Sequence, residues 1–152
     1  MIDWTFELND KPMSAFKTGV ISFPAFSGID KHLNRRASAC MAGVGPISPG
    51  TYYIFDRQSG GMTETLRNLF NDKTNWFALY AADEKVDDET YCNKVKRGAF
   101  RLHPKGGRGI SLGCITIDNI GDFNRISAML RGACQADVPG STLKAYGKVV
   151  VK

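Results

Sequence analysis

Apolar and polar residues alternate along Trp4-Thr5-Phe6-Glu7-Leu8, the two-residue period of a half-buried strand, and Asn9-Asp10 is a turn signal behind it. Residues 19–23 predict the partner strand of a hairpin, and Pro24 then breaks the pattern into a loop that runs to Gly28. The double turn Gly45-Pro46-Ile47-Ser48-Pro49-Gly50 launches Thr51-Tyr52-Tyr53-Ile54-Phe55, a β-branched and aromatic strand. A short helix is expected over residues 63–70, with Leu66, Leu69 and Phe70 on one face. Residues 76–80 and 98–102 predict two further strands, separated by an acidic stretch read as a solvated loop. Asp118 can cap a helix whose apolar positions Ile120, Phe123, Ile126 and Leu130 recur at helical spacing. Residues 143–151 close the chain as a strand. The pattern predicts a mainly β fold, a curved sheet or sandwich with one or two short helices. No linker, repeat or composition shift divides residues 1–152, so one domain is expected.

One stretch carries chemistry. Arg101-Leu102-His103-Pro104 ends an apolar run on a histidine, a glycine-rich loop follows, and Ser111-Leu112-Gly113-Cys114-Ile115 opens the next run on a cysteine. The two are 114 − 103 = 11 residues apart, room for a hairpin-like connection that brings them together. A thiol is a weak nucleophile at its free pKa of about 8.5, and a nearby imidazole activates it by taking the proton. Gly113 allows a tight backbone turn, aiming N–H groups at a developing oxyanion. The same letters also suit a buried core cysteine, since free cysteine is among the most buried residue types. His32, in the basic stretch 31–36, has no strand end to present it and reads as a surface residue. Arg57, followed by Ser59-Gly60-Gly61, could bind a carboxylate through its guanidinium fork, or sit solvated beside a turn. Asp83, Asp87, Asp88 and Glu89 lack the ligand spacing and central glycine of a calcium loop. Gly106-Gly107-Arg108-Gly109 lacks the Lys-Ser/Thr ending of a phosphate-binding loop.

Ser111-x-Gly113-Cys114-Ile115 behind His103 resembles the active-site motif of the L,D-transpeptidases, Ser/Thr-His-Gly-Cys with an upstream histidine. The match is closer to the toxic effectors of that class delivered by type VI secretion. Phe23-Pro24-Ala25-Phe26-Ser27-Gly28, the 45–52 turn segment and Arg57-Gln58-Ser59-Gly60-Gly61 are similar to that branch as well. The resemblance implies an L,D-transpeptidase-like catalytic domain acting as a cysteine carboxypeptidase or transpeptidase on peptidoglycan tetrapeptide stems. Cys114 would attack the meso-diaminopimelate–D-alanine carbonyl. His103 would serve as base, oriented by a nearby backbone carbonyl such as that of Pro104, with Gly113 and Ser111 at the site. The loop holding Ser27 would border the substrate cleft. No metal or cofactor is required. Two positions depart from the family: Leu112 replaces the second motif histidine, and Thr116 replaces the arginine that often follows Gly-Cys-Ile. Arg57, Arg101 or Arg108 would then have to meet the substrate carboxylate. A cognate immunity protein and the type VI secretion machinery are the implied partners. An inactive wall-binding module and a different cell-wall cysteine peptidase are the rival readings.

Net charge changes the picture little. The value is +5 with a pI near 9.1, but the basic residues are scattered, without a basic helix or nucleic-acid motif. Such a surface would also attract the free carboxylates of peptidoglycan stems. No apolar run is long enough for a membrane span. The start, Met1-Ile2-Asp3-Trp4, lacks the basic and apolar regions of a secretory signal. The expectation is a protein made in the donor cytoplasm and delivered, without such a signal, to act in a target periplasm. Besides Cys114, cysteines stand at 40, 92 and 134. At most one disulfide can form among these three; the sequence does not choose a pair, and three buried free thiols are the expectation.

Overall fold

A computed structural model describes residues 1–57, 76–106 and 113–152. The helix expected at residues 63–70 lies outside them. The architecture is mainly β, as the alternation pattern predicts. Strands β1 (Ile2–Phe6), β2 (Ser14–Thr18), β3 (Ile21–Phe26), β4 (Gly50–Asp56) and β5 (Phe77–Ala81) are followed by a small hairpin, β6 (Glu89–Cys92) and β7 (Val95–Gly98). Then come β8 (Arg101–Pro104), β9 (Ile115–Ile117), helix α1 (Ile120–Gly132), a two-stranded ribbon β10 (Ala136–Asp137) and β11 (Lys144–Ala145), and β12 (Gly147–Val151).

The curved sheet closes on itself as a barrel in the order β1-β12-β4-β5-β8-β9-β3-β2. Its interior is filled by alternate residues of every strand, among them Trp4, Phe6, Phe16, Ile54, Phe77, Leu102, Ile115 and Val149. Trp4 stacks on Phe16 with centroids 4.5 Å apart. A smaller apolar cluster, Phe55, Ala78, Tyr80, Val138 and Ala145, covers the opposite face of β4 and β5. Helix α1 packs Phe123, Ile126 and Leu130 into the main core. Ile120, expected on that face, is 60 % exposed because the helix turns its first residue to solvent. The N-cap is Asn119, one residue after the expected Asp118; its Oδ1 accepts from the N–H groups of Gly121 and Asp122.

The departures from the sequence pattern have local causes. β3 runs through Pro24 as far as Phe26, where a loop was expected, with Ala15 opposite the proline in β2. The missing N–H is tolerated because the Pro24 carbonyl still accepts from Asp118 N–H at 3.0 Å. Strand β2 was not foreseen; Ser-Ala-Phe-Lys-Thr has one large apolar residue, Phe16, and is held by neighbours on both sides. The β6–β7 hairpin turns at Asn93 and Lys94, both at positive φ (46° and 65°), as a tight strand-joining turn requires.

One covalent link crosses the fold. Cys40 and Cys92 form a disulfide, which corrects the expectation of three free thiols, and Cys134 is exposed rather than buried. The residues are 52 apart in sequence, and a crosslink over that span stabilises by about 4 kcal/mol in the chain-entropy picture.

Candidate active site

Strands β8 and β9 run parallel, with Leu102 opposite Ile115 and His103 opposite Thr116. This corrects the hairpin-like connection expected between His103 and Cys114. A parallel pair cannot be joined by the tight turn of a hairpin. Parallel pairing also fixes which side chains share a face. Leu102, Ile115 and Ile117 point into the barrel, leaving Arg101, His103, Cys114 and Thr116 on the other face. One register step before Leu102–Ile115 sets Cys114 beside Arg101. His103 and Cys114 are therefore diagonal neighbours on one face, roughly 8 Å apart at Cα from ideal strand spacings. Their side chains can span such a gap.

The imidazole is held on three sides. His103 Nδ1 lies 2.8 Å from the Pro104 carbonyl oxygen. A carbonyl only accepts, so Nδ1 carries the proton and Nε2 is the ring's acceptor in the neutral form. Thr116 Oγ1 stands 3.5 Å from Nε2, at the outer limit of a hydrogen bond. Trp76 stacks on the ring at 4.3 Å with planes 19° apart, and the Arg57 guanidinium lies 5.9 Å from the Trp76 ring centroid. Burial pushes the His103 pKa down to about 4, against which the Pro104 hydrogen bond acts. The ring is neutral at physiological pH.

Cys114 is 3 % exposed, and burial pushes its thiol up to about 11. The Arg101 backbone N–H and the Arg101 and Arg97 charges act in the opposite direction, and Asp88 reinforces the rise. The resting pair is thus a neutral thiol and a neutral imidazole, with the proton to be moved when the thiol reacts.

Gly113 has φ +98°, a conformation open to glycine. A Cβ there would sit 2.6 Å from Arg97 Nη2 and 2.8 Å from the Phe100 ring. Arg97 and Phe100 therefore wall the backbone that carries the cysteine.

The sequence-predicted residues fall into three groups. His103, Gly113 and Cys114 come together as described. Arg108 and Ser111 lie outside the described residues, as do Ser59, Gly60, Gly61 and Leu112. Arg101 and Ser27 are buried and bonded within the protein. Arg101 is fully buried and bidentate to Asp88, with Nη1–Oδ1 and Nη2–Oδ2 both 2.7 Å, so its fork is already occupied. That pair also corrects the reading of the acidic stretch as a purely solvated loop. Ser27 is fully buried; its Oγ accepts from Ile47 N–H at 2.8 Å, and its own N–H donates to Asn34 Oδ1 at 2.9 Å. It knits the 27–47 segment together and has no exposed group to line a cleft. Arg57 reaches the site through Trp76. His32 is partly buried, its Nδ1 2.9 Å from Ser38 Oγ.

Trp76 and Arg97 were not singled out by sequence reasoning, and Asp88 was weighed only as a calcium ligand. Trp76 read as a strand residue, Asp88 as loop charge, and Arg97 as one of many scattered cations. Only the packing of β5, β7 and the 83–88 segment around β8 brings them to Cys114 and His103.

Fold and site define a small mainly β domain built around a histidine and a cysteine on parallel neighbouring strands. The chain belongs to the Tlde1 domain family, which matches residues 21–141 of its 152 and is a family of type VI secretion effectors. No curated protein and no solved structure matches the chain.

Proposed function

We propose that this domain is a cysteine L,D-carboxypeptidase and L,D-transpeptidase of peptidoglycan that acts in the periplasm of a target bacterium. The observation that carries the reading is the Pro104 carbonyl oxygen 2.8 Å from His103 Nδ1. It accepts a hydrogen bond from Nδ1–H, which makes Nε2 the basic nitrogen, on the same sheet face as the Cys114 thiol. In the proposed reaction, Nε2 accepts the thiol proton as Sγ bonds to the carbonyl carbon between meso-diaminopimelate and the terminal D-alanine. The Gly113 and Cys114 N–H groups meet the oxyanion. Collapse breaks the C–N bond, D-alanine leaves with the proton held on His103, and a thioester remains. Water then gives the tripeptide, whereas a D-amino acid gives an exchanged stem. Arg57, whose guanidinium lies 5.9 Å from the Trp76 ring centroid, is the described cation assigned to meet a stem carboxylate in this reading. Membership of an effector family, the basic surface and a disulfide suited to an oxidising compartment agree with this reading. A secretion machine and a cognate immunity protein are its expected partners.

The burial of Cys114 favours a second reading, a wall-binding module in which the thiol is only core. Wild type and Cys114→Ala would be incubated with disaccharide-tetrapeptide muropeptides, with and without D-methionine, and the products read by mass. Loss or exchange of D-alanine by wild type alone supports the enzyme. Intact muropeptides throughout, with the protein still retained on peptidoglycan, support the binding module.

A further inference from the structure

Arg97 is a buried cation with an unusual set of partners. Its side chain is held by three backbone carbonyls, those of Ala39, Gly45 and Pro46. No carboxylate pairs with it among the described residues. Its guanidinium lies 5.3 Å from the Phe100 ring centroid and against the Cα of Gly113, the residue directly before Cys114. The carbonyl partners belong to one compact turn, closed by the Gly45 N–H to Met41 carbonyl bond at 2.9 Å. A Cβ at Gly45 would lie 1.9 Å from the Ser38 carbonyl oxygen, so this turn has no slack. Cys40 follows Ala39 within it, and Cys92 pairs with Val95 in the hairpin that carries Arg97. The disulfide and the Arg97–Ala39 bond therefore join the same two segments side by side.

We infer that Arg97 is a positioning residue, holding an uncompensated positive charge against Gly113–Cys114, and that the Cys40–Cys92 disulfide keeps it there. A cation beside a thiol favours the thiolate and any oxyanion formed at the same backbone. Two-electron reduction by a thiol reductant, which is itself oxidised to a disulfide, leaves Cys40 and Cys92 as thiols, frees the 39–46 turn to move from the hairpin, and costs Arg97 the carbonyls that hold it. Cys114 then becomes a poorer nucleophile in a reducing compartment and a better one after oxidation. The other charged or titratable groups facing the thiol among the described residues are Arg101 and Asp88, which neutralise each other, and His103. The inference concerns the thiol itself, and gains its catalytic meaning from the reaction proposed above.

The test follows alkylation of Cys114 by iodoacetamide, read by peptide mass between pH 6 and 11, in the folded full chain. Wild type, Arg97→Lys, Arg97→Met and Cys40→Ser/Cys92→Ser are compared, with Cys134 as the exposed internal reference. Over this range, which lies below the thiol's pKa, looser packing speeds alkylation at every pH, whereas loss of the charge slows it. The expected result is alkylation about tenfold slower than wild type in Arg97→Met and in the disulfide-free protein, with Arg97→Lys closer to wild type. Faster alkylation in Arg97→Met and the disulfide-free protein overturns the inference. Coincident profiles in all four proteins, absence of reaction included, overturn the inference. So does a lysine variant as slowed as the methionine variant. If Arg97→Met does not fold, the disulfide-free protein and Arg97→Lys decide. Because alkylation needs no muropeptide, the expected slowing in a protein that leaves muropeptides intact would sink the proposed reaction and leave this inference standing.

Discussion

The imidazole of His103 lies almost flat on the indole of Trp76, with ring centroids 4.3 Å apart. Trp76, 5 % exposed, stands directly before β5, and β5 pairs with β8 through Phe77–Leu102 and Ala78–Arg101. Stacking excludes water from one face of the ring, and the Pro104 carbonyl orients its edge. Trp76 therefore helps hold the ring neutral as well as in place.

Replacing Trp76 by alanine should readmit water to that face. The His103 pKa should rise from about 4 towards the ordinary 6.5, visible as a shifted imidazole titration by NMR. Turnover of muropeptides should fall by about tenfold or more as the ring loses its orientation. A titration unchanged from wild type would show that burial by other groups sets the ring's pKa.

Stability should be highest between roughly pH 6.5 and 9. His103 has a folded pKa below its unfolded value, so its contribution is complete above 6.5 and is lost as pH falls towards about 4. Cys114 has a folded pKa above its unfolded value of 9.0, so its contribution is complete below 9 and is lost as pH rises towards about 11. Each shift corresponds to about 3 kcal/mol at full extent. Urea midpoints across pH should show both limbs, with His103→Gln flattening the acid one and Cys114→Ala the alkaline one.

The Arg101–Asp88 pair should be costly to break from one side and cheap to remove whole. Asp88→Asn leaves a fully buried guanidinium without its carboxylate, with an expected loss of about 3 kcal/mol. The double change Arg101→Met with Asp88→Leu should recover much of it, since an apolar pair needs no desolvated charge. Equal losses in single and double variants, by denaturant unfolding, would rule this account out.

Gly113→Ala should damage the site more than its single methyl suggests. The new Cβ meets Arg97 Nη2 and Phe100 at a backbone φ of +98°. Strain and overpacking together should cost about 2–4 kcal/mol. Muropeptide turnover should drop about a hundredfold as the Cys114 backbone shifts. Serine at the same position should behave like alanine, because the clash arises at Cβ.

Local order was largely legible in the chain. Alternation marked β1, β-branched and aromatic content marked β4, short apolar runs marked β5 and the strand that carries His103, and helical spacing marked α1 through Phe123, Ile126 and Leu130. Apolar runs and periodicities are one-dimensional signals. Chemistry confined to neighbouring residues could be read in the same way, as with Gly113-Cys114 and the Pro104 carbonyl beside its own histidine. What the residues could not announce is whatever depends on which strands meet. The parallel pairing of β8 and β9 sets Cys114 beside Arg101, and nothing in either segment encodes that direction. The Cys40–Cys92 choice, the capture of Arg101 by Asp88, the burial of Ser27 and the seat of Arg97 on three carbonyls all follow from barrel closure. Closure brings together segments far apart along the chain, and desolvation then leaves each buried cation only the partners within reach. The tertiary structure alone decides which arginines are spent inside the protein, as Arg97 and Arg101 are.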